Sequence, residues 1–333
     1  MAAQPKALGS DVYMIDTAMS GYSGITAAYA ILGSRPCLVE TGTATSAPVV
    51  RDALAGLGVG ADDLATIVVT HIHLDHAGGV GDLAAAFPRA QVVVQDAGAR
   101  HLADPSRLMA SARRVFGSAM DSLFGELLPT EAARIETIGD VGTIDLGGGR
   151  RLEGHHTPGH ARHHLGLVDS ATGDLYVGDA AGLYIPAQDA SSTTGLDSSG
   201  VMGQMLPGTP PPDFDLELAL ASLDRFHDLR ATRLLFSHYG PITAVDDVLD
   251  RAAEEMRLWV SIVRDAWQDA GGAFDLDLAV AMVRDRTRER YADLLARPEV
   301  AAKFEALSSA AANVSGIARW LEREEQRLRE AQG

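Results

Sequence analysis

The sequence predicts a layered α/β fold that ends in a helical stretch. Three observations carry this expectation. Short apolar runs alternate with helix-spaced segments through the first three quarters of the chain, several of those runs are continuously apolar, and strand signals stop near residue 244. Continuous apolar runs suit strands covered on both faces, because each face then meets a packed layer instead of water.

Taken in order, residues 11–16 (DVYMID), 25–32 (ITAAYAIL) and 36–40 (PCLVE) are short β-branched and aromatic runs parted by Gly, Ser and Pro, so they read as strands. Residues 46–58 (SAPVVRDALAGLG) have helical spacing with Gly at the end, and 65–70 (ATIVVT) and 91–95 (QVVVQ) read as buried strands. A mostly helical stretch is expected over 97–128. Strands follow at 142–145, 150–156, 164–169 and 174–178, then a helix at 215–229 and a strand at 232–236. Between Tyr184 and Phe214 runs a Gly, Ser and Pro-rich segment, far longer than the usual connection of about 4–6 residues. It is expected to be either a functional cover or a loose loop. Beyond residue 244, three amphipathic helices broken by GGAFD and RPE are expected, which divides the chain into a domain at 1–243 and a helical domain at 244–333.

Composition narrows the function. With 28 Lys plus Arg against 45 Asp plus Glu, the formal charge is -17, and Lys6 and Lys303 are the only lysines. Such a field repels polyanions, so nucleic acid is excluded as the expected partner. The single Cys37 supplies neither an intrachain disulfide nor a thiolate metal cage. No run reaches the roughly 18 apolar residues of a membrane span and no apolar leader is evident, so a cytoplasmic protein without membrane partners is expected.

The chemistry concentrates in two windows. In 67–79, IVVTHIHLDHAGG, His71, His73, Asp75 and His76 fall directly after a buried strand; a second window, HHTPGHARHH at 155–164, follows another. Together they hold eight of the eleven histidines, a clustering that calls for a local cause. In extended chain, positions i and i+2 share a side, so His71 and His73 are able to converge on one ion while the turn toward Gly78 carries Asp75 and His76 to a second place. Asp179 in LYVGDA and His238 in LLFSHYG also stand just past apolar strands. Ligand sites gather at such strand ends, so His71, His73, Asp75, His76, His160, Asp179 and His238 are expected to meet. Imidazole and carboxylate without thiolate suit a catalytic Zn, Fe, Mn or Ni site rather than a structural zinc site.

The segments THIHLDHAGG, HHTPGH, VGDA and SHYG, over roughly residues 10–243, resemble the metallo-β-lactamase-fold hydrolases, in the branch similar to glyoxalase II. The resemblance implies an αββα sandwich with a C-terminal helical appendage and two divalent ions, zinc first, with iron or manganese as alternatives. It further implies that His71, His73 and His160 hold one metal, that Asp75, His76 and His238 hold the other, and that Asp179 bridges them. The expected chemistry is attack of a metal-bridging hydroxide on an activated ester, with a thioester first and a lactone as the alternative. Asp75 is also expected to orient that hydroxide and to help protonate the leaving group.

Other polar residues have plainer readings beside the functional ones. His164 stands where relatives often carry a second His of the TPGH segment and is a candidate for the oxyanion side; His155 also stands near the expected site, His156 and His163 read as ordinary hydrogen-bonding residues, and His101 and His227 as surface or packing residues. Glu40 is expected to order the ligand loop. Tyr184 and Tyr239 flank expected ligands, and Tyr184 is a candidate to polarise a carbonyl. Met202, Met205 and Pro210 to Pro212 are candidate acyl-pocket residues. The Arg284 to Arg290 helix is expected to be a solvated face, because Asp285 and Glu289 interleave. Trp259, Trp267 and Trp320 mark apolar stripes that require burial, by the chain itself or in a homodimer. Phosphodiester cleavage, mononuclear-iron sulfur dioxygenation and a regulatory role without catalysis complete the alternatives to a small-molecule ester hydrolase.

Overall fold

The computed structural model describes residues 4–187, 203–269 and 274–332. Met202 and the larger part of the long Gly, Ser and Pro-rich segment lie outside the described residues. The chain forms two compact units, one from Met1–His156, His163–Gly178 and Leu229–Ile242, the other from Thr157–Arg162, Asp179–Asp228 and Thr243–Gly333.

In chain order the strands are β1 (Lys6–Gly9), β2 (Val12–Asp16), β3 (Ala27–Ile31), β4 (Cys37–Val39), β5 (Thr66–Val68), β6 (Gln91–Gln95), β7 (Ile135–Ile138) and β8 (Val141–Gly147). They continue as β9 (Arg150–His156), β10 (Leu165–Asp169), β11 (Asp174–Gly178), β12 (Leu183–Ile185), β13 (Gln204–Leu206), β14 (Arg233–Phe236) and β15 (Gly240–Ile242). The first unit holds two mixed sheets, one in sequential order β1 to β7 and one in the order β15-β14-β11-β10-β9-β8. In the first, β4, β5, β6 and β7 run parallel, so the loops after β4 and β5 leave one edge together.

The inner faces supply one core. Tyr29, Val39, Val68 and Val93 from the first sheet pack with Leu152, Leu167, Tyr176 and Leu235 from the second. Tyr29 and Tyr176 meet edge to face at 5.4 Å, and the Tyr29 hydroxyl donates to the Phe236 carbonyl at 2.6 Å, which satisfies its one polar group inside the sandwich. The second sheet also carries two buried carboxylates, each matched by a guanidinium: Asp169 by Arg150, and Asp174 by Arg233. Helices Ala47–Gly56, Val80–Ala86 and Asp96–Ala103 lie against the first sheet. This is the expected α/β sandwich, with helices following at the C-terminal end.

Three expected helical stretches divide, and the one over 276–296 yields Leu276–Arg286 and the single turn Ala292–Leu295. The 97–128 stretch breaks at Asp104–Pro105 and again at Gly117, whose φ of 55° suits glycine. The last expected helix splits into Pro298–Leu307 and Ala310–Gln332, because Ser309 caps the second piece: its Oγ accepts from the Ala312 amide at 3.1 Å.

The second unit contains the β12–β13 ribbon and helices Leu216–Asp228, Val245–Asp269, Leu276–Arg286, Pro298–Leu307 and Ala310–Gln332. Its tryptophans find partners within the unit. The Trp259 indole donates to the Tyr291 hydroxyl, which donates to the buried Glu255; Trp320 meets Phe214 edge to face, and the Trp267 indole donates to Glu325. Among the described residues, no helix is long and apolar enough to cross a membrane.

Candidate metal centre

The chain leaves β5 through Val69 and Thr70 and immediately presents His71 and His73, whose Nε2 and Nδ1 atoms lie 2.9 Å apart. A one-turn helix, Leu74–Ala77, then reverses the chain. Gly78 ends that turn because nothing larger fits: a Cβ there would lie 2.2 Å from the Leu74 carbonyl oxygen and 2.9 Å from the Ala44 amide nitrogen. The close approach locks the turn to the loop after β4. Both the amide and the hydroxyl of Thr41 donate to the His76 carbonyl, at 2.8 and 2.7 Å.

The turn brings Asp75 and His76 to His238, which follows β14. Their ligand atoms form a triangle: His238 Nε2 to His76 Nε2 is 3.1 Å, His238 Nε2 to Asp75 Oδ2 is 3.4 Å, and His76 Nε2 to Asp75 Oδ2 is 3.7 Å. Ligands about 2.0–2.2 Å from a tetrahedral zinc lie roughly 3.3–3.6 Å from one another, so the triangle has the size of one face of such a site.

The hydrogen bonds outside the triangle decide which ring nitrogens face inward as lone pairs. His238 Nδ1 lies 2.9 Å from the Ile25 carbonyl, which accepts only, so Nδ1 carries the proton and Nε2 is a lone pair. His76 Nδ1 donates to Glu40 Oε1 at 3.2 Å, with the same outcome. That carboxylate oxygen also accepts from Thr70 Oγ1 at 2.5 Å and from Ser237 Oγ at 3.1 Å. Since the Thr70 proton is spent on Glu40, the 3.0 Å contact between Thr70 Oγ1 and His71 Nδ1 requires the imidazole to donate, leaving His71 Nε2 as a lone pair. One buried carboxylate thus sets the tautomers of His71 and His76. Two lone pairs and a carboxylate meeting within 3.1 to 3.7 Å repel one another unless a cation lies between them, and this donor set fits a divalent ion.

Glu40 carries signs of a demanding position. It adopts φ 67°, uncommon for a residue with a side chain, and its buried Oε2 has no hydrogen-bond partner among the described residues. Its contacts connect the β4 loop, the β5 loop and the β14 loop at one carboxylate.

In the second unit, His160 Nδ1 donates to the Gly208 carbonyl at 2.9 Å, which again leaves Nε2 as the lone pair, 3.6 Å from Asp179 Oδ2. The segment bearing Gly208 is gripped by the last helix. Asn313 Oδ1 accepts from the Thr209 amide at 2.6 Å, Gly316 leaves room for the Thr209 carbonyl, and Arg323 donates to the Pro212 and Phe214 carbonyls.

His164 is fully buried, its ring 5.1 Å from that of His71, in space that Gly178 leaves open: a Cβ at 178 would collide with His164 Nε2 and Thr70 Oγ1. His163 Nδ1 receives the Ile72 amide at 3.4 Å. His155 pairs with Glu153, and His156 lies in β9 opposite Leu165. His101 lies on the helix Asp96–Ala103 and takes a hydrogen bond from Arg100, while His227 pairs with Asp246 and Asp250. Tyr184 lies in β12, where its hydroxyl accepts from the Gly203 amide at 3.1 Å and burial pushes its pKa up. Burial, reinforced by the Asp16 carboxylate, likewise raises the Tyr239 phenol. Sequence reasoning named Glu40 but missed Thr70, Ser237 and Asn313, whose partners are 30, 197 and 104 residues away in sequence.

A family model described as the metallo-beta-lactamase superfamily matches residues 9–238. The chain belongs to that superfamily. It is 30% identical over 186 residues to a metallo-beta-lactamase fold-containing protein of Sulfurisphaera tokodaii, covering 55% of this chain and 63% of that one. It is 29% identical over 205 residues to a hydroxyacylglutathione hydrolase of Synechococcus, covering 60% of each chain. The match therefore spans about three fifths of the length of these curated relatives. A crystal structure of a metallo-beta-lactamase family protein from Thermus thermophilus aligns over 96% of this chain and 95% of its own, with a TM-score of 0.62 and 20% identity, a likeness of fold. Among the described residues, the His and Asp groups above are clusters that could hold a metal ion.

Proposed function

We propose that the protein is a metal-dependent hydrolase of activated esters, with thioesters as the first substrate class, in which His71, His73, Asp75, His76, His160, Asp179 and His238 hold two divalent ions. The observation that carries this reading is the convergence of Asp75, His76 and His238 as three acceptors, two of them fixed as lone pairs by outward hydrogen bonds. Divalent cations bound there would make water a nucleophile near neutral pH and polarise an ester carbonyl.

The chain's own groups supply the rest. The Nδ1 hydrogen bonds of His71, His76 and His238 hold each ring with Nε2 as the atom offered to a metal, so the rings need not turn on binding. Asp75 is the most open member of its triangle, 15% exposed against 1% for each histidine side chain, and we assign it the reacting water. It takes the proton that water loses on adding to the carbonyl carbon, then returns it to the sulfur or oxygen as the bond to the leaving group breaks. We assign His164, whose ring lies 5.1 Å from that of His71, to the carbonyl-oxygen side. The thioester preference draws support from relatives named hydroxyacylglutathione hydrolase. A lactone is the second reading, favoured by one feature: from His163 to Asp224 there is no Lys or Arg to grip an anionic thiol carrier.

Metal analysis of freshly purified protein together with a panel of S-lactoylglutathione, acyl-CoA thioesters and acyl homoserine lactones tests both readings. Close to two divalent ions per chain with thioester turnover supports the first; turnover of lactones alone supports the second. Inactivity across the panel at full metal loading overturns both, and one iron per chain with oxygen uptake on a persulfide replaces them with a dioxygenase.

A further inference from the structure

The second unit contains a feature that the metal chemistry does not use. A cavity of about 350 Å³ opens among Val245–Asp269, Leu276–Arg286, Pro298–Leu307 and the start of Ala310–Gln332. Packed interiors leave few voids larger than a water molecule, whereas ligand pockets run from about 300 to 1,000 Å³, so its size is that of a binding site. Its walls include Leu206, Trp259, Leu294 and Ala301, and Arg284 and Arg288 also line it.

In an acidic chain with two lysines, two guanidinium groups against one carboxylate, Glu305, line this apolar opening and leave it a local excess of positive charge. Their present partners are weak ones. Arg284 meets Glu305 at 3.1 Å and Arg288 meets Asp285 only at 3.8 Å, and all four side chains are between 46% and 78% exposed. Exposed ion pairs of this kind contribute little, so an incoming anion displaces them easily. The neighbouring Arg290, by contrast, is committed to the buried Glu255. An apolar chamber with available cations selects a molecule with an apolar body and one anionic end.

We propose that this cavity binds an amphipathic monocarboxylate, the hydrocarbon chain lying against Trp259 and Leu294 and the carboxylate meeting Arg284 and Arg288. The site is independent of the hydrolase reading. Nothing in it requires metal.

Calorimetric titration of the full-length, chelator-treated protein with hexanoate, decanoate and decanol tests the proposal, because metal-free protein removes any carboxylate binding at the metal centre. Decanoate is expected to bind once per chain, at least tenfold more tightly than hexanoate, since each buried methylene raises affinity by roughly fourfold. It is also expected to bind at least tenfold more tightly than decanol. Arg284→Gln with Arg288→Gln, both at exposed positions, is expected to remove the preference for decanoate over decanol, and Ala301→Phe to abolish binding of both. No binding, equal binding of decanoate and decanol to the unaltered protein, or a preference that survives the double substitution overturns the proposal. So does a dimer in sedimentation that Ala301→Phe dissociates, since the occupant would then be a second copy of the chain.

Discussion

Glu40→Gln removes one charge and almost no volume, and the structure sets the size of its effect. Glu40 Oε1 accepts three hydrogen bonds, from Thr70, Ser237 and His76. A hydrogen bond to a charged group contributes about 1.5–3 kcal/mol and a neutral one about 0.5–1.5, so each bond weakens by roughly 1 kcal/mol when the acceptor becomes an amide. Two of the three bear on proposed metal ligands: His76 directly, and His71 through the Thr70 hydroxyl. The loss in metal binding is therefore about 2 kcal/mol, or roughly 30-fold, inside the 10- to 100-fold range found when groups behind metal ligands are altered. Competition against a chromophoric zinc chelator measures the ratio of dissociation constants, with far-UV circular dichroism to establish that the variant is folded. A folded Glu40→Gln protein whose zinc affinity matches that of the unaltered chain refutes the relay from Glu40 to the two imidazoles.

Asp75→Asn is expected to retain the fold while lowering turnover at least about 100-fold under saturating metal, and full activity in steady-state assays would remove its proposed role as proton carrier. Asn313→Ala leaves the buried Thr209 amide without its acceptor, which lowers stability by about 1–3 kcal/mol in urea unfolding; a loss under about 0.5 kcal/mol counts against the clamp on the Gly208 segment. Chelation of bound metal is expected to lower the melting temperature, since a ligand at 100 times its Kd stabilises by about 2.7 kcal/mol, and an unchanged transition in scanning calorimetry means that no such ion was held. Burial raises the pKa of Cys37 and of the phenols of Tyr29 and Tyr176, so the fold keeps them protonated after they would ionise in the unfolded chain. Their contribution is complete below the ordinary thiol and phenol values and is lost as pH climbs beyond them, so melting temperature should fall steeply between about pH 9 and 11.

The proposed ligands were legible because most are local. His71, His73, Asp75 and His76 fall within six residues, where strand and turn geometry alone restrict which side chains share a side. The groups behind them were not legible as a set. Glu40 meets Ser237 only because β4 and β14 belong to sheets that pack face to face, and no pattern within either segment encodes that register. The same limit hid Asn313, which reads as one polar residue on an amphipathic helix until Thr209 is brought beneath it. Strand prediction missed the three-residue β12, β13 and β15, which are buried but too short to show a period, and it missed two exposed strands. β1 and β7 are largely exposed along their length and lack the apolar signature on which strand recognition depends, whereas the fully buried β5 and β11 stand out at once. The Pro105 break was readable, since proline removes the amide and crowds the preceding turn, and the apolar spacing on either side masked it.

The arrangement at Asp75, His76 and His238 implies a distribution of energy between folding and binding. Three acceptors converge and a residue behind them adopts φ 67°, a conformation that costs about 1–3 kcal/mol. Neither feature favours the metal-free fold. Both are set by contacts elsewhere, in the Thr41–His76 lock, the glycine at 78 and the sandwich core. Because folding has already absorbed the repulsion, a cation entering the triangle relieves it without having to order the side chains, so its affinity benefits twice. The consequence runs in the other direction as well: substitutions that relax the convergence, such as His238→Asn, should make the metal-free protein more resistant to unfolding while weakening metal binding. A variant that lost both stability and metal affinity would show instead that His238 acts chiefly through its hydrogen bond to Ile25 and not through the repulsion of facing lone pairs.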